Sequence, residues 1–277
     1  MGLKLGTESV GGLKIGTETV GGMKIGTEII YQSATPLPAG TLYMVGDRTQ
    51  ALYTVDRTTG VATRVGSARN FGGLTFPLPA GLAWDGTNLY MVDDLSNALY
   101  TLDRTAGTAT RVGSSTDFGA GILQPGGLAW DGTNLYLVDL ATSSSGVGAL
   151  HTVNRTTGVA TRVGSATRFS INESQPAGLA WDGTNLYMVG RISGALNILD
   201  RTTGIATRVG SVRSFGVSES GPNGLAWDGT NLYMVGLDND ALYTLDRTTG
   251  IATRVGSSTA FGVTENRPAG LAFVPST

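Results

Sequence analysis

The sequence predicts an all-β protein made of repeats, and three observations carry this prediction. The phrase PAGLAWDGTNLY and its close variants occur four times, and a fifth copy begins at Pro268 and runs only to Pro275. Short apolar runs alternate with Asp-Gly and Thr-Gly turn signals, which is typical of strands joined by hairpins. Residues 33–277 also show no stretch with the 3.6-residue apolar period of a helix.

The repeat period predicts the architecture. The copies open 46, 51, 46 and 46 residues apart, at Pro79, Pro125, Pro176, Pro222 and Pro268. This period is typical of β-propeller blades of four strands. Within a copy the strand segments, labelled A to D outward, read GLAW, LYMV, ALYTLD and ATRVG. A DGTN turn joins A to B, a variable loop joins B to C, and an RTTG turn joins C to D.

The unfinished copy at the end of the chain predicts how the ring closes. The first copy, from Pro38, lacks the LAWDGTN segment, so residues 268–274 can supply its missing strand A to the blade of residues 41–66. Such closure removes exposed sheet edges. We therefore predict a single five-bladed β-propeller of four-stranded antiparallel blades, closed by the C-terminal strand. Small residues such as Gly81 and Ala83 in strand A suit a narrow ring.

Composition excludes several classes of function. The net charge of −2 does not favour nucleic acid, and no run approaches the ~20 apolar residues of a membrane span, so we expect no membrane insertion. The chain has no cysteine and hence no disulfide or thiolate metal site. No phosphate-binding loop precedes a helix. We predict no cofactor and no metal.

The first thirty-two residues form a different repeat. GLKLGTESVG, GLKIGTETVG and GMKIGTEIIY follow one another, and all three lysines of the chain lie in them. Segments this short cannot bury a core, because an isolated hairpin is marginal in water. One interpretation is a flexible leader. The other is an arm, residues 1–32, that binds a partner and precedes a propeller of residues 33–277. The apolar residues at strand spacing favour the arm; they are Leu3, Leu5, Ile15, Val20, Ile25, Ile29 and Ile30.

No constellation in the sequence predicts catalysis, because an enzyme needs a singular site and the carboxylates of this chain recur from copy to copy. The aspartates of the DGTN turns (Asp85, Asp131, Asp182 and Asp228) are expected to bind nearby backbone N–H groups. The Asp-Arg pairs begin the C–D turns, and Asn154 replaces Asp in one of them. His151, the single histidine, takes the position of a tyrosine in three other copies and is expected to pack. The strand A tryptophans are expected in the core between blades. We predict that the protein is not an enzyme.

The copies differ in the loops of one face only. In a four-stranded blade the A–B and C–D turns emerge on one face, and the B–C and D–A loops emerge on the other. The turns are nearly invariant, whereas the loops differ in every copy. Two interpretations account for the difference: recognition by variable loops on a rigid scaffold, or neutral drift. Under the first, the candidate ligand contacts are Arg48, Asp94, Arg168, Arg191, Arg213, Asp238 and Arg267.

Two resemblances add to these predictions. LYTLDRTTGIATRVG and GLAWDGTNLYMV resemble propeller repeats of secreted bacterial and viral proteins, which implies the fold and no chemistry. KIGTE resembles N-terminal attachment stretches of bacteriophage virion proteins. That likeness implies a structural virion protein (a fibre, spike or capsid decoration) whose propeller binds a host-surface glycan. The arm would then bind other virion proteins and form a homo-oligomer, with a trimer as the first expectation.

The alternative function is a soluble lectin-like carbohydrate-binding propeller, since the blade count resembles that of animal lectins. The N-terminus shows no apolar segment of a signal peptide. We therefore expect assembly in the host cytoplasm and a location in the virion.

Overall fold

The chain divides into two compact units, Met1–Pro38 and Ala39–Thr277. The computed structural model describes residues 20–25, 28–33, 37–75, 77–114, 118–119, 121–122, 124–140, 148–165, 169, 175–191, 193–211, 214–217, 221–257, 260–263 and 267–276. The second unit is the larger of the two.

The first unit contains a β-hairpin. Strands β1 (Val20–Ile25) and β2 (Glu28–Ser33) pair antiparallel, from Val20 opposite Ser33 to Ile25 opposite Glu28. The backbones of four predicted arm residues, Val20, Ile25, Ile29 and Ile30, lie in these strands. The other three, Leu3, Leu5 and Ile15, lie outside the described residues.

The second unit is a five-bladed β-propeller, as predicted. Its described residues form five four-stranded antiparallel sheets, ordered β22-β3-β4-β5, β6 to β9, β10 to β13, β14 to β17 and β18 to β21, which we number blades 1 to 5. The strands are β3 Gly40–Gly46, β4 Ala51–Val55, β5 Ala62–Arg64, β6 Pro79–Trp84, β7 Leu89–Asp93, β8 Ala98–Leu102, β9 Ala109–Arg111, β10 Pro125–Trp130, β11 Leu135–Asp139, β12 Ala149–Val153, β13 Ala160–Arg162, β14 Pro176–Trp181, β15 Leu186–Gly190, β16 Ala195–Leu199, β17 Ala206–Arg208, β18 Pro222–Trp227, β19 Leu232–Gly236, β20 Ala241–Leu245, β21 Ala252–Arg254 and β22 Pro268–Pro275. Short helical turns lie at Asn70–Gly73, Ser214–Gly216 and Ala260–Gly262.

The predicted closure of the ring is confirmed. Strand β22 pairs antiparallel with β3, with Leu271 opposite Met44 and Phe273 opposite Leu42. It has eight residues, whereas strand A of blade 2 has six. The extra length follows from the missing A–B turn, because β22 continues along β3 where the chain turns back in the other blades.

The hydrophobic core lies between blades. Each of five clusters of buried side chains joins the strands of two neighbouring blades; Leu52 of blade 1, for example, packs with Leu89 and Met91 of blade 2. The phenylalanine of each D–A loop enters one of these clusters and is at most 1% exposed. These five residues are Phe71, Phe118, Phe169, Phe215 and Phe261. Burial of a phenylalanine fixes the base of each variable loop.

Glycine at one position of strand A allows the ring to be this narrow. A Cβ on Gly127 of blade 3 would lie 2.2 Å from the carbonyl oxygen of Ala177 in blade 4, and a Cβ on Gly178 would lie 2.2 Å from that of Asn223 in blade 5. The equivalent glycines in the other blades make the same approach, so backbone packs directly on backbone around the ring; they are Gly81, Gly224 and Gly270. The expectation that small residues line the ring is confirmed.

Candidate functional site

The two faces of the propeller are divided as the sequence predicts. At the start of each B–C loop, one backbone N–H donates to the carbonyl of the residue that precedes strand A. Asp47 donates to Arg267 over 3.0 Å, and Asp94 donates to Leu78 over 2.9 Å. Blades 3, 4 and 5 repeat this bond. The B–C and D–A loops therefore lie together on one face, which we call the loop face.

The opposite face, called here the turn face, is built from identical aspartate turns. In the DGTN turn of blade 2, Asp85 Oδ1 accepts hydrogen bonds from the backbone N–H of Thr87 (2.9 Å) and Asn88 (2.7 Å). The aspartates of the other three DGTN turns accept the same pair. The predicted role of these aspartates in closing the turn is confirmed.

The same aspartates also join neighbouring blades, which sequence reasoning missed. The second carboxylate oxygen of Asp85 accepts a hydrogen bond from Arg155, the arginine of the C–D turn one blade further on. Asp131 pairs in this way with Arg201, Asp182 with Arg247, and Asp228 with Arg57. The aspartate side chains are at most 2% exposed in all four pairs. Invariance of both turns is thus explained by a ring of inter-blade ion pairs.

Each arginine of this ring also stacks on the aromatic residue of strand A in its own blade. The guanidinium carbon of Arg155 lies 4.1 Å from the ring centroid of Trp130, and that of Arg57 lies 4.8 Å from Phe273. Such a cation–π contact stabilises the charge near an apolar surface. The tryptophans pack against the inter-blade core as predicted, but the arginines cover them.

The junction between blades 1 and 2 differs from the others. Arg104 of blade 2 stacks on Trp84 with its guanidinium carbon 4.5 Å from the ring centroid. The equivalent of the aspartate in blade 1 is Val274, because β22 has no DGTN turn. Among the described residues, the ring of arginine–aspartate pairs therefore spans four junctions, and the junction beside the closing strand lacks one.

Two substituted positions behave as the sequence predicts. Asn154 Oδ1 accepts hydrogen bonds from Thr156 N (2.9 Å) and Thr157 N (3.0 Å), which are the bonds that aspartate accepts in the other C–D turns. His151 is fully buried on β12, between strands β11 and β13. Burial, together with Arg162, lowers the pKa of His151 to about 4. The imidazole is thus neutral at physiological pH, in agreement with a packing role.

The loop face holds a cavity on the axis of the ring, with a volume of about 160 Å³. Its wall includes the first residue of each B–C loop, one from every blade: Asp47, Asp94, Leu140, Arg191 and Leu237 in blade order. The residue after each opening proline forms a second tier; these are Ala269, Ala80, Gly126, Ala177 and Asn223. Backbone symmetry therefore brings one side chain from each of the five blades to one opening, which we call the channel mouth.

Hydrogen bonds fix the charged side chains of the channel mouth. Arg191 Nη2 donates to Asn223 Oδ1 over 2.9 Å, and Asn223 Nδ2 donates to the carbonyl of Pro268 over 2.9 Å. Asn223 is 8% exposed. On the other side, Arg267 Nε lies 3.1 Å from Asp47 Oδ2. Both arginines are thus held by partners within the mouth.

Asp94 is the titrating group of this site. Burial raises its pKa to about 6, with a further contribution from the carboxylates of Asp93 and Asp47, and Arg191 opposes the shift. An arginine two blades further along the ring is therefore close enough to act on this carboxylate. At neutral pH the channel mouth holds a half-buried carboxylate whose negative charge is poorly solvated.

The candidate contacts fall into three groups. Asp94, Arg191 and Arg267 line the channel mouth, whereas Arg48 and Asp238 lie exposed on the loop face away from that lining. Arg168 and Arg213 lie outside the described residues. Sequence reasoning missed Asp47 and Asn223, although an alignment of the copies places both at the same repeat positions as the other lining residues.

The described residues contain no group of three acidic or histidine side chains placed to hold a metal ion. Within the same part of the chain, no helix has the length and apolarity to cross a membrane.

Comparison with known proteins supports the fold and leaves the family undefined. No family model matches the chain, and no curated protein matches it. Among solved structures, a chain from a nidogen/laminin complex superposes with a TM-score of 0.54 at 12% identity, over 85% of this chain and 98% of that one. A structural-genomics protein of unknown function from Bacteroides thetaiotaomicron gives a TM-score of 0.52 at 17% identity, over 87% of this chain and 66% of that one. The chain is a five-bladed β-propeller repeat protein.

Proposed function

We propose that the protein is a structural virion protein of a bacteriophage, a fibre, spike or capsid decoration, that recognises a host surface with the loop face. The N-terminal arm attaches it to other virion proteins or to sister chains. The observation that supports recognition is the difference between the two faces: the turns are nearly invariant, whereas the loops differ in every copy.

The turn face has a complete structural explanation. Its aspartates close turns with one oxygen and bind the next blade with the other, and its arginines cover the strand A aromatics. These contacts account for the invariance of the turns at four of the five junctions without any ligand. The described parts of the loop face share the buried phenylalanines and the backbone bonds at the base of each loop, whereas side-chain contacts such as that of Arg191 with Asn223 belong to one pair of blades.

Charge also favours the loop face. A cavity with two carboxylates and two guanidinium groups lies on the axis, and these four groups come from blades 1, 2 and 4 and the loop that leads into β22. Ordinary drift favours solvated surface residues, whereas polar groups that converge on a concave site favour binding. A chain of similar fold crystallised within a nidogen/laminin complex, which supports association of this fold with macromolecular partners.

The attachment role rests on the arm. Its decapeptides resemble virion attachment stretches, and its described part is one two-stranded hairpin. Two strands are marginal in water without further packing. A partner surface, or the same segment in two sister chains, supplies that packing in the proposed assembly.

Deletion of residues 1–36 tests the attachment role. The shortened chain should remain a folded monomer by light scattering, while the full chain forms an oligomer or incorporates into particles. Equal assembly of both chains would remove the arm from the proposal.

Host binding tests the recognition role. Fluorescent full-length protein should adsorb to host cells and lose adsorption when Asp94 and Arg191 are both replaced by Ala. The control is Thr202→Ala on the turn face, which leaves adsorption unchanged. Loss with the control alone would place recognition on the turn face. Binding to a glycan array without assembly would indicate the lectin-like alternative, and absence of binding in both assays would indicate a purely structural role.

A further inference from the structure

We propose that the channel mouth binds a small zwitterionic group, with a ligand ammonium against Asp47 and Asp94 and a ligand carboxylate against Arg191. This inference rests on the proposed recognition by the loop face and names the chemical class that it recognises.

The ring places the two charge types on opposite sides of the mouth. Asp47 and Asp94 come from adjacent blades 1 and 2, at the same position of the repeat. Arg191 occupies that position in blade 4. In a ring of five, blade 4 lies opposite the junction of blades 1 and 2. The side of blades 1 and 2 thus carries two carboxylates and Arg267, which pairs with Asp47, and has one net negative charge, whereas the side of blade 4 carries the positive charge of Arg191.

Apolar side chains separate the two poles. The same repeat position is Leu140 in blade 3 and Leu237 in blade 5, which flank the line from the acidic side to Arg191. A ligand in the mouth thus meets charge at both ends and hydrocarbon along both sides. This is the pattern of an amino and a carboxylate group on a short carbon skeleton.

Charge balance favours a ligand without net charge. Asp47, Asp94, Arg191 and Arg267 sum to zero at neutral pH. A simple anion would meet the carboxylates as well as the arginines, and a simple cation would meet the arginines. A zwitterion complements both poles. A volume of about 160 Å³ limits the bound group to a small one, since an engineered cavity of about 150 Å³ admits benzene.

The groups that hold the site in place suit these roles. Asn223 fixes Arg191 through a 2.9 Å bond, and a guanidinium fork matches a carboxylate in geometry. Burial is the main cause that raises the pKa of Asp94 to about 6, Asp93 and Asp47 add to it, and Arg191 opposes it. Arg267 pairs with Asp47, and a bound ammonium would add a second positive charge beside the two carboxylates.

Titration of the full-length protein with ω-amino acids tests the inference. The series runs from glycine to 6-aminohexanoate, which increases the separation of the two charges in single steps, and isothermal titration calorimetry measures binding. For the best member we expect affinity at least tenfold above that of the alkylamine and of the carboxylic acid of the same length. Asp94→Asn and Arg191→Gln should each lower the affinity at least tenfold, whereas Asp200→Asn, in a C–D turn of the turn face, should leave it unchanged.

The pH dependence gives a second readout. With a pKa of about 6, the ionised fraction of Asp94 falls from about 0.9 at pH 7 to about 0.1 at pH 5, so affinity should fall about tenfold. Asp94→Asn should remove this dependence. Equal affinity at the two pH values in the parent chain would contradict the role of Asp94.

Binding of a polymer distinguishes two possible sources of the zwitterionic ligand, a surface glycan and free amino acids. A polysaccharide that carries free amino and carboxylate groups should bind more tightly than any monomer if the source is a surface glycan, and its N-acetylated form should not bind. Binding of monomers alone would indicate free amino acids. If neither binds, the inference is wrong. Host adsorption that survives Asp94→Asn and Arg191→Gln would overturn the inference and keep the recognition role, whereas zwitterion binding without host adsorption would do the reverse.

Discussion

The close contact between blades predicts a sharp difference between two adjacent glycines of strand β10. Gly127→Ala would place a methyl group 2.2 Å from the carbonyl oxygen of Ala177 and 2.4 Å from the backbone nitrogen of Leu179. Gly126→Ala would place the same methyl 3.2 Å from the nearest atoms, one of which is the flexible end of Leu140. Blades 1, 2 and 4 already have alanine at the Gly126 position.

The magnitude follows from the size of the overlap. Ordinary contact begins near 3.4 Å, so β14 must move by about 1.2 Å to admit the methyl at position 127. Both partners are backbone atoms inside a closed ring, and the displacement cannot be confined to one side chain. Overpacking costs about 1–3 kcal/mol, and this case belongs at the upper end. The loss of glycine entropy in the unfolded chain, about 0.4–1 kcal/mol in favour of folding, is common to both variants and cancels in the comparison.

Thermal unfolding followed by circular dichroism measures the difference. A gap of about 2–3 kcal/mol corresponds to a melting temperature about 4–12 °C lower for Gly127→Ala than for Gly126→Ala, at about 2–4 °C per kcal/mol for a domain of this size. Equal melting temperatures would refute direct backbone packing around the ring. A lower melting temperature for Gly126→Ala than for Gly127→Ala would show that the tightest contact between blades lies at the channel mouth and not at the glycines of strand A.

Three further predictions concern stability. Removal of residues 268–277 should cause aggregation on refolding, measured by light scattering, because blade 1 loses its inner strand and exposes a sheet edge; a soluble monomer with the parental melting temperature would contradict ring closure. Asp131→Asn keeps the oxygen that closes the turn but places an amide group against Arg201. The free energy of unfolding measured in urea should therefore fall by about 1–3 kcal/mol, and an unchanged value would mean that the ion pair contributes nothing. Asp200→Asn should be nearly neutral in the same assay, because Asn154 already accepts the same turn bonds in blade 3, and a cost equal to that of Asp131→Asn would show that turn closure alone matters.

Acidification should destabilise the protein through the turn-face aspartates within a defined pH range. Burial opposes ionisation of Asp131, but hydrogen bonds from Asn134 N and Thr133 N, together with Arg201, hold its pKa below the usual value. A carboxyl with a lowered pKa contributes stability above its unfolded value of about 3.9 and loses that contribution as the pH falls further. Asp85 and Asp182 have the same arrangement and the same direction of shift. The contribution of these three aspartates to the free energy of unfolding, measured in urea, should therefore be constant from pH 7 to 5 and decrease below about pH 4.

Ring closure could be predicted from the sequence because it depends only on a count of strand segments. The first copy lacks a strand and the last supplies one, and only a closed ring uses both. Turn roles were equally accessible, since Asp85 and Asn154 act on N–H groups two and three residues away. Local chemistry and repeat count together determine the fold.

The inter-blade ion pairs were missed because each partner already had a local explanation. Asp85 and Arg155 are 70 residues apart, and each lies in a turn that its own sequence accounts for. The two turns on one face are more invariant than turn formation requires. Asn154 shows this, because it closes its turn with the same hydrogen bonds as aspartate. This excess invariance was the sequence evidence for a further contact. The channel mouth was missed in part for another reason. Nothing in the loops GDRTQ, DDLSN and GRISG indicates that the residue after the end of strand B, and not the next one, turns toward the axis.

The two faces together explain how a repeat protein can be uniform and specific at once. Backbone equivalence carries the first residue of every B–C loop to the axis, so a single substitution per blade changes the composition of one shared cavity. Five copies with the same residue would give five like charges or five apolar groups at the mouth. Two aspartates, one arginine and two leucines instead give a cavity with opposite poles and apolar sides. The arginine–aspartate pairs on the turn face and the closely packed glycines of strand A hold this cavity in place while the loop residues vary. The composition of the cavity can therefore change by point substitution without loss of the fold.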